Sequence, residues 1–146
     1  MGKRRRSREF ALQVLYQLEI SKQDAVGVLT QFQDHFFKGA ERDHFVERLV
    51  LGVSEHRQGI DRLIGQYSEN WRLDRINIID LSILRLAVFE LLYCEDIPPK
   101  VTLNEAIDLG KRYGTDDSGG FINGILDRIQ NEMVRKPSRA ASVKKG

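Results

Sequence analysis

The chain is short of the features that most readily announce chemistry. It has one cysteine, Cys94, so no disulfide can form within it, and a reducing compartment fits. No apolar stretch approaches the roughly 18 residues that a membrane span needs. The basic N-terminus leads into no continuous apolar run of the kind a secretion signal carries, and the expected location is the cytoplasm. No alternating apolar–polar run of useful length is present, which argues against a sheet, and no segment repeats at a fixed period. The three histidines, His35, His44 and His56, are spread too widely for a local metal motif. Gly119-Gly120 lacks the following Lys-Ser/Thr of a phosphate-binding loop. Cys94 has no sequence neighbour that would activate a thiol. The carboxylate pairs Glu95-Asp96 and Asp116-Asp117 fall at helix junctions, where caps and solvated turns account for them better than acid–base catalysis. These absences point away from an enzyme, and neither metal nor cofactor is expected.

What is present is helical periodicity. Ala11, Val14, Leu15 and Leu18 keep the i, i+3, i+4, i+7 spacing of one helix face, with Ser7 as the expected N-cap. Val28, Leu29, Phe32 and Phe36 mark a second helix, ended by Gly39. A third segment, about 41–67, carries Phe45, Leu49, Val53, His56, Ile60, Leu63, Ile64 and Tyr67, with a break expected near Gly59 because glycine is a poor helix former. A connection containing Trp71 follows. The segment 75–94 is apolar on more than one side and so belongs at the centre of the fold. Ile97-Pro98-Pro99 stops it. Thr102 and Glu105 have the spacing of a capping box for a helix ending near Gly114. A last helix, from Asp117-Ser118 to Val134, buries Ile122, Ile125, Leu126, Ile129 and Met133. The expectation is an all-α domain over residues 1–134, six or seven packed helices, with a basic arm at 1–8 and a disordered tail at 135–146.

The net charge of +2 conceals an asymmetry. Lys3, Arg4, Arg5, Arg6 and Arg8 form one basic run, and Arg135, Lys136, Arg139, Lys144 and Lys145 another. Between them stand 13 basic and all 21 acidic residues, a net of −8. Basic ends on an acidic body focus attraction for polyanions at particular places. The arginines suit a grip on a nucleic-acid backbone, because a guanidinium both pairs with phosphate and stacks on bases; the alternative is a solvated leader. Phe121 lies one residue off the apolar stripe of the last helix, in its first turn. There it is suited to stack an unpaired base, with Asn123 to read a base edge and the helix N-terminus to attract phosphate; alternatively it folds back against the preceding loop. Tyr16 borders the stripe of the first helix, a place common to core edges and protein interfaces. Arg85 and Glu90 on the central helix are expected in internal ion pairs.

Four stretches carry a family resemblance. RRRSREFALQVLYQLE (Arg4–Glu19) resembles the opening of NusB-family proteins, ILRLAVFELLY (Ile83–Tyr93) their central helix, IPPKVTLNEAIDLGKRYG (Ile97–Gly114) the next, and FINGILD (Phe121–Asp127) the terminal signature. Order and spacing agree throughout, and the match spans nearly the whole chain before the tail. The resemblance implies two packed helical bundles and a role in processive transcription antitermination, notably of ribosomal RNA operons. It implies binding of single-stranded boxA RNA jointly with NusE, a small-subunit ribosomal protein, and indirect association with other Nus factors and RNA polymerase. By position it assigns RNA contact to Arg4, Arg5, Arg6, Arg8, Asp117, Phe121 and Asn123, and the NusE face to Tyr16 and Asp80. Asp117 cannot attract phosphate; it would cap the helix or accept from a base donor. Gly120 departs from the family pattern, where lysine commonly precedes the phenylalanine, which removes a phosphate contact and loosens the helix start.

Three other readings stand beside this one. The RNA-binding domain of an RNA cytosine methyltransferase is NusB-like, but a chain ending at Gly146 leaves no room for methyl transfer, so only a fragment would qualify. A helical protein-interaction adaptor without specific RNA recognition fits the Gly120 departure. A helix-turn-helix DNA-binding regulator would need an exposed basic and amide-rich recognition helix, and none stands out.

Overall fold

The computed structural model describes residues 2–37, 42–68 and 72–134, and among these it contains seven α-helices, a 3-10 turn at Leu73–Arg75 and no strand. The helices are α1 (Lys3–Ser21), α2 (Ala25–Phe36), α3 (His44–Glu55), α4 (Arg57–Tyr67), α5 (Ile78–Tyr93), α6 (Pro99–Tyr113) and α7 (Ser118–Val134). None of them is long and apolar enough to cross a membrane. Short polar side chains start three of them by satisfying orphan amides. Asp24 accepts from the Gly27 amide (3.0 Å), Asp43 from those of Phe45 and Val46 (3.0 Å each), and Asn77 from that of Asp80 (2.9 Å). α6 begins at Pro99, where the missing N–H costs nothing, and stops at Gly114.

Several local expectations are corrected. Ser7 is no N-cap: α1 begins at Lys3, because the basic run is itself made of good helix formers. Ser7 is buried inside the helix and donates to the Lys3 carbonyl (3.1 Å) and the Asp43 carboxylate (2.6 Å), tying α1 to the start of α3. Thr102 and Glu105 form no capping box. Both lie within α6, where Thr102 donates to Glu90 (2.8 Å) and Glu105 takes Arg5, long-range partners that the local spacing could not reveal. The break in the third segment falls at His56, and Gly59 sits inside α4. The central helix begins at Ile78, after the 3-10 turn. Gly39, Trp71 and the segment 135–146 lie outside the described residues.

α5 organises the rest. Thirteen of its 16 residues, Asp80 to Leu92, are buried, as expected of a helix apolar all round. α1, α2 and α3 pack on one another; α4, α6 and α7 pack with α5, and α5 also lies against α1 and α3. The result is two bundles sharing a central helix. One glycine makes this crossing close: a Cβ on Gly52 of α3 would overlap the Phe89 ring of α5. Ile83, Leu84, Leu86 and Leu91 of α5 are sealed among Leu49, Ile60, Ile64, Ile122 and Leu126 from both bundles.

Candidate nucleic-acid interface

The basic run is helical, so its side chains leave the α1 axis in different directions and meet different neighbours. Arg8 points inward. It is 4% exposed and makes a two-pronged pair with Glu90 of α5, at 2.7 and 2.9 Å. Glu90 is 2% exposed and also accepts from Thr102. Arg8 is thereby committed to the interior. A signal for this exists in the sequence: Arg8 precedes Ala11, Leu12 and Leu15 at three, four and seven residues, the spacing of the buried stripe.

Arg5 turns toward α6, pairing with Glu105 through Nε and Nη2 (3.0 Å each) and with Asp108 at 2.7 Å. Its hydrogen bonds to Glu105 and then that residue's charge, joined by Asp108, hold this guanidinium all the more firmly charged. Arg4 is exposed, reaches Asp96 at 3.4 Å and lies 4.4 Å from the centre of the Phe45 ring. Arg6 is exposed, with its guanidinium 5.5 Å from the centre of the Phe10 ring. A cation near a ring face is weakly attracted by it while remaining open to an anion.

The second cluster stands at the start of α7. Asp117 is exposed; its amide donates to the Thr115 hydroxyl (3.3 Å) and its carbonyl accepts the Phe121 amide (3.0 Å), the first turn of the helix. Phe121 is half-buried against the edge of the core, and Asn123 is exposed. Gly120 is exposed, and a Cβ there would meet open space.

α6 joins the two clusters. Its Glu105 and Asp108 hold Arg5, its Arg112 pairs with Glu9 of α1 (2.8 Å), and its Gly110 lies against α7, so close that a Cβ there would come within 3.4 Å of Ser118 and Gly119 backbone atoms. The basic start of α1 and the aromatic start of α7 therefore border one helix, although more than a hundred residues separate them in sequence.

The residues expected to face a protein partner differ in access. Tyr16 is 42% exposed on α1. Asp80 is buried, and its Oδ1 has no hydrogen-bond partner among the described residues. Tyr16 is the more accessible of the two. One helical turn on, Glu19 accepts from Arg57 (2.9 Å) and Arg85 (3.1 Å), and Arg85 also grips Asp61 at 2.8 and 3.1 Å. Burial pushes the Glu19 carboxyl up, but Arg57, Arg85 and Lys22 outweigh it and hold it below the usual range. Sequence reading missed Arg48 of α3, which pairs with Asp96 at 2.7 Å. Their separation of 48 positions leaves no local pattern to find.

Cys94 is fully buried, and that burial raises its thiol to about 11, so the thiolate is scarce at neutral pH. Among the described residues no group of three or more His, Cys, Asp or Glu is placed to hold a metal. A groove of about 640 Å³ between α3, α4 and α5 is floored by His56 stacked on Tyr93 (4.1 Å between ring centres) and rimmed by Arg57, Gln58, Arg62 and Gln66. It holds no Ser or Cys hydrogen-bonded to a base among the described residues.

Known proteins share the sequence pattern and the fold of this chain. The sequence pattern of the NusB family matches residues 5–131. The transcription antitermination protein NusB of Syntrophus aciditrophicus (strain SB) is 50% identical over 136 residues, 93% of this chain and 84% of that protein. The solved structure of T. maritima NusB superposes with a TM-score of 0.81 at 36% identity, covering 99% of each chain. A NusB solved with NusE and double-stranded RNA shares the fold, with a TM-score of 0.77 at 24% identity over 90% of this chain and 99% of that one. With its two bundles around α5 and a match running from the basic helix start to the last turns of α7, the chain belongs to the NusB family.

Proposed function

We propose that this protein is a transcription antitermination factor that binds single-stranded boxA RNA together with NusE and, through them, joins other Nus factors on RNA polymerase. Residues 1–134 form the RNA-binding unit, working in the cytoplasm where transcripts emerge. The observation that carries the reading is the placement of two complementary clusters along α6: exposed arginines at the start of α1, and Phe121 with Asn123 at the start of α7. Arginines supply salt-dependent affinity for the backbone, and an aromatic ring beside helix-start amides supplies stacking on an unpaired base. Of the basic run, Arg4 and Arg6 are the most available, Arg5 is shared with α6, and Arg8 supports α1 from within. Asp117 contributes an acceptor for a base donor. Tyr16 supplies the accessible part of the NusE face, and the buried Asp80 lies in the first turn of α5. NusE adds a second surface to the complex and raises RNA affinity through linked binding. The relatives named as transcription antitermination proteins support this reading, and a NusB of the same fold was solved with NusE and double-stranded RNA. The work done is binding; no step of catalysis is assigned to it.

A second reading, a protein-interaction adaptor without specific RNA recognition, draws on the exposed Gly120, where a lysine would add positive charge, and on the acids that already occupy Arg5.

Fluorescence anisotropy with labelled boxA RNA and a scrambled control, across several salt concentrations with and without NusE, separates the two. Tighter binding to boxA that NusE strengthens and Phe121→Ala weakens is expected. Equal binding to both RNAs, or none even with NusE, overturns boxA recognition and favours the adaptor.

A further inference from the structure

Two arginines from different helices, Arg4 of α1 and Arg48 of α3, converge on one carboxylate. Arg48 meets Asp96 end-on, Nη2 to Oδ1 at 2.7 Å and Nη1 to Oδ2 at 3.3 Å. Arg4 aims both terminal nitrogens at Oδ2, each at 3.4 Å. All three side chains are open to water, at 50%, 38% and 49% exposure for Arg4, Arg48 and Asp96. Two guanidiniums around one small oxyanion is the arrangement that binds a phosphate, which offers the same acceptor geometry with an additional oxygen. The trio carries a net charge of +1, so a further anion is attracted. Arg5 presents the opposite case. It is one guanidinium already held by two acids, Glu105 and Asp108, and Glu105 is shared with Arg8 at 3.8 Å. Arg8 is sealed on Glu90. The arginines of the basic run are therefore not equivalent, and the attractive site is completed by a residue from outside it.

We infer that Arg4 and Arg48 form a binding site for a backbone phosphate of RNA, in which the Asp96 carboxylate takes the phosphate's place in the free protein and yields it when RNA binds. The inference rests on the RNA-binding reading above and deepens it by extending the grip from α1 onto α3. Phe45 lies under Arg4 and keeps that side chain over the site. Asp96 acts as an internal counter-anion. While it holds the arginines, they neutralise less phosphate charge, and fewer of the cations condensed on RNA are released on binding, the release that makes affinity salt-dependent. Asp96 thus moderates the attraction for any polyanion, and RNA must offer contacts elsewhere, such as at Phe121, to displace it.

The test is anisotropy of labelled boxA RNA against salt for the whole protein and three variants: Arg48→Gln, Asp96→Asn and Phe121→Ala. Arg48→Gln is expected to weaken binding by about fivefold at low salt and to reduce the salt slope by about 0.7, one phosphate contact on a single strand. Asp96→Asn is expected to do the reverse, tightening binding by a comparable factor and steepening the slope. A purely structural Arg48–Asp96 pair would make both variants weaker binders with lowered melting temperatures. That result, or an unchanged Kd in both while Phe121→Ala still weakens binding, overturns the phosphate site and leaves the RNA-binding reading standing. Failure of the unaltered protein to bind RNA overturns both.

Discussion

Arg4, exposed, and Arg8, buried on Glu90, show how the same residue type takes opposite roles within five positions. Two charges removed from water repay their desolvation only when the geometry is close and the remaining lone pairs are satisfied. Here the pairing is two-pronged and Thr102 supplies a further donor to Glu90. Breaking one side leaves an unpaired buried charge. Arg8→Met is expected to lower unfolding free energy by about 3–5 kcal/mol, read by urea denaturation. The double variant Arg8→Met, Glu90→Leu should recover most of that loss, since an apolar pair of similar volume has no charge to desolvate. A double variant no more stable than the single one would mean that packing, and not the charge, sets the cost.

At the scale of elements, two helix starts matter. Asp43 caps α3 with its carboxylate, receives Ser7 from α1, and is bracketed by Gln33 of α2 through its carbonyl (3.0 Å) and amide (3.2 Å). It joins all three helices of the first bundle. Asp43→Ala should cost about 1–2 kcal/mol as a lost cap, with Asp43→Asn, which keeps an acceptor for the α3 amides, losing less; thermal melts of the two variants rank them. The start of α7 is weaker by composition, having Gly119 and Gly120 in its first turn. Since a side chain at Gly120 would enter open space, Gly120→Lys should stabilise the protein by about 0.5 kcal/mol through helix propensity. It should also tighten RNA binding, more so at low salt. Tighter binding that persists unchanged at high salt would instead indicate a gain from helix order alone.

Over the whole molecule, ion pairs between elements make stability depend on acid. Hydrogen bonding to Arg48 is the main cause that holds Asp96 down to about 2, from a usual 3.8, with the charges of Arg48 and Arg4 adding to it. Glu19 is likewise held low by Arg57 and Arg85. A carboxyl whose folded value is depressed contributes stability that is present above its unfolded value and is lost as pH falls toward the folded one. The melting temperature should therefore be level near neutrality and fall as pH drops from about 4 to about 2. Asp96 is half exposed and its contribution is screened, so 1 M salt should flatten part of the decline. A midpoint near pH 6 would instead implicate a histidine.

The all-helical fold, the central position of α5 and the stripe of α7 were legible because each depends on periodicity, and a 3.6-residue repeat of apolar side chains has few ways to be buried. The end of α6 at Gly114 followed from backbone chemistry alone, whereas α5 ends at Tyr93, ahead of the prolines, and Pro99 opens α6. The basic ends and the family pattern raised the expectation that a polyanion is met there. Beyond the spacing that sets Arg8 on the buried stripe of α1, the sequence could not divide the basic run or name its partners. Arg4, Arg5, Arg6 and Arg8 are identical as letters. Only packing sends Arg8 to Glu90, Arg5 to Glu105 and Asp108, and Arg4 to a carboxylate shared with Arg48. Ser7 and Thr102 were misread for the same reason: a hydroxyl near a helix start resembles a cap until a partner on another helix, Asp43 or Glu90, claims it. Local pattern determines which residues become helix and which face is buried; the pairing of charges across elements depends on distances that exist only once the helices have packed.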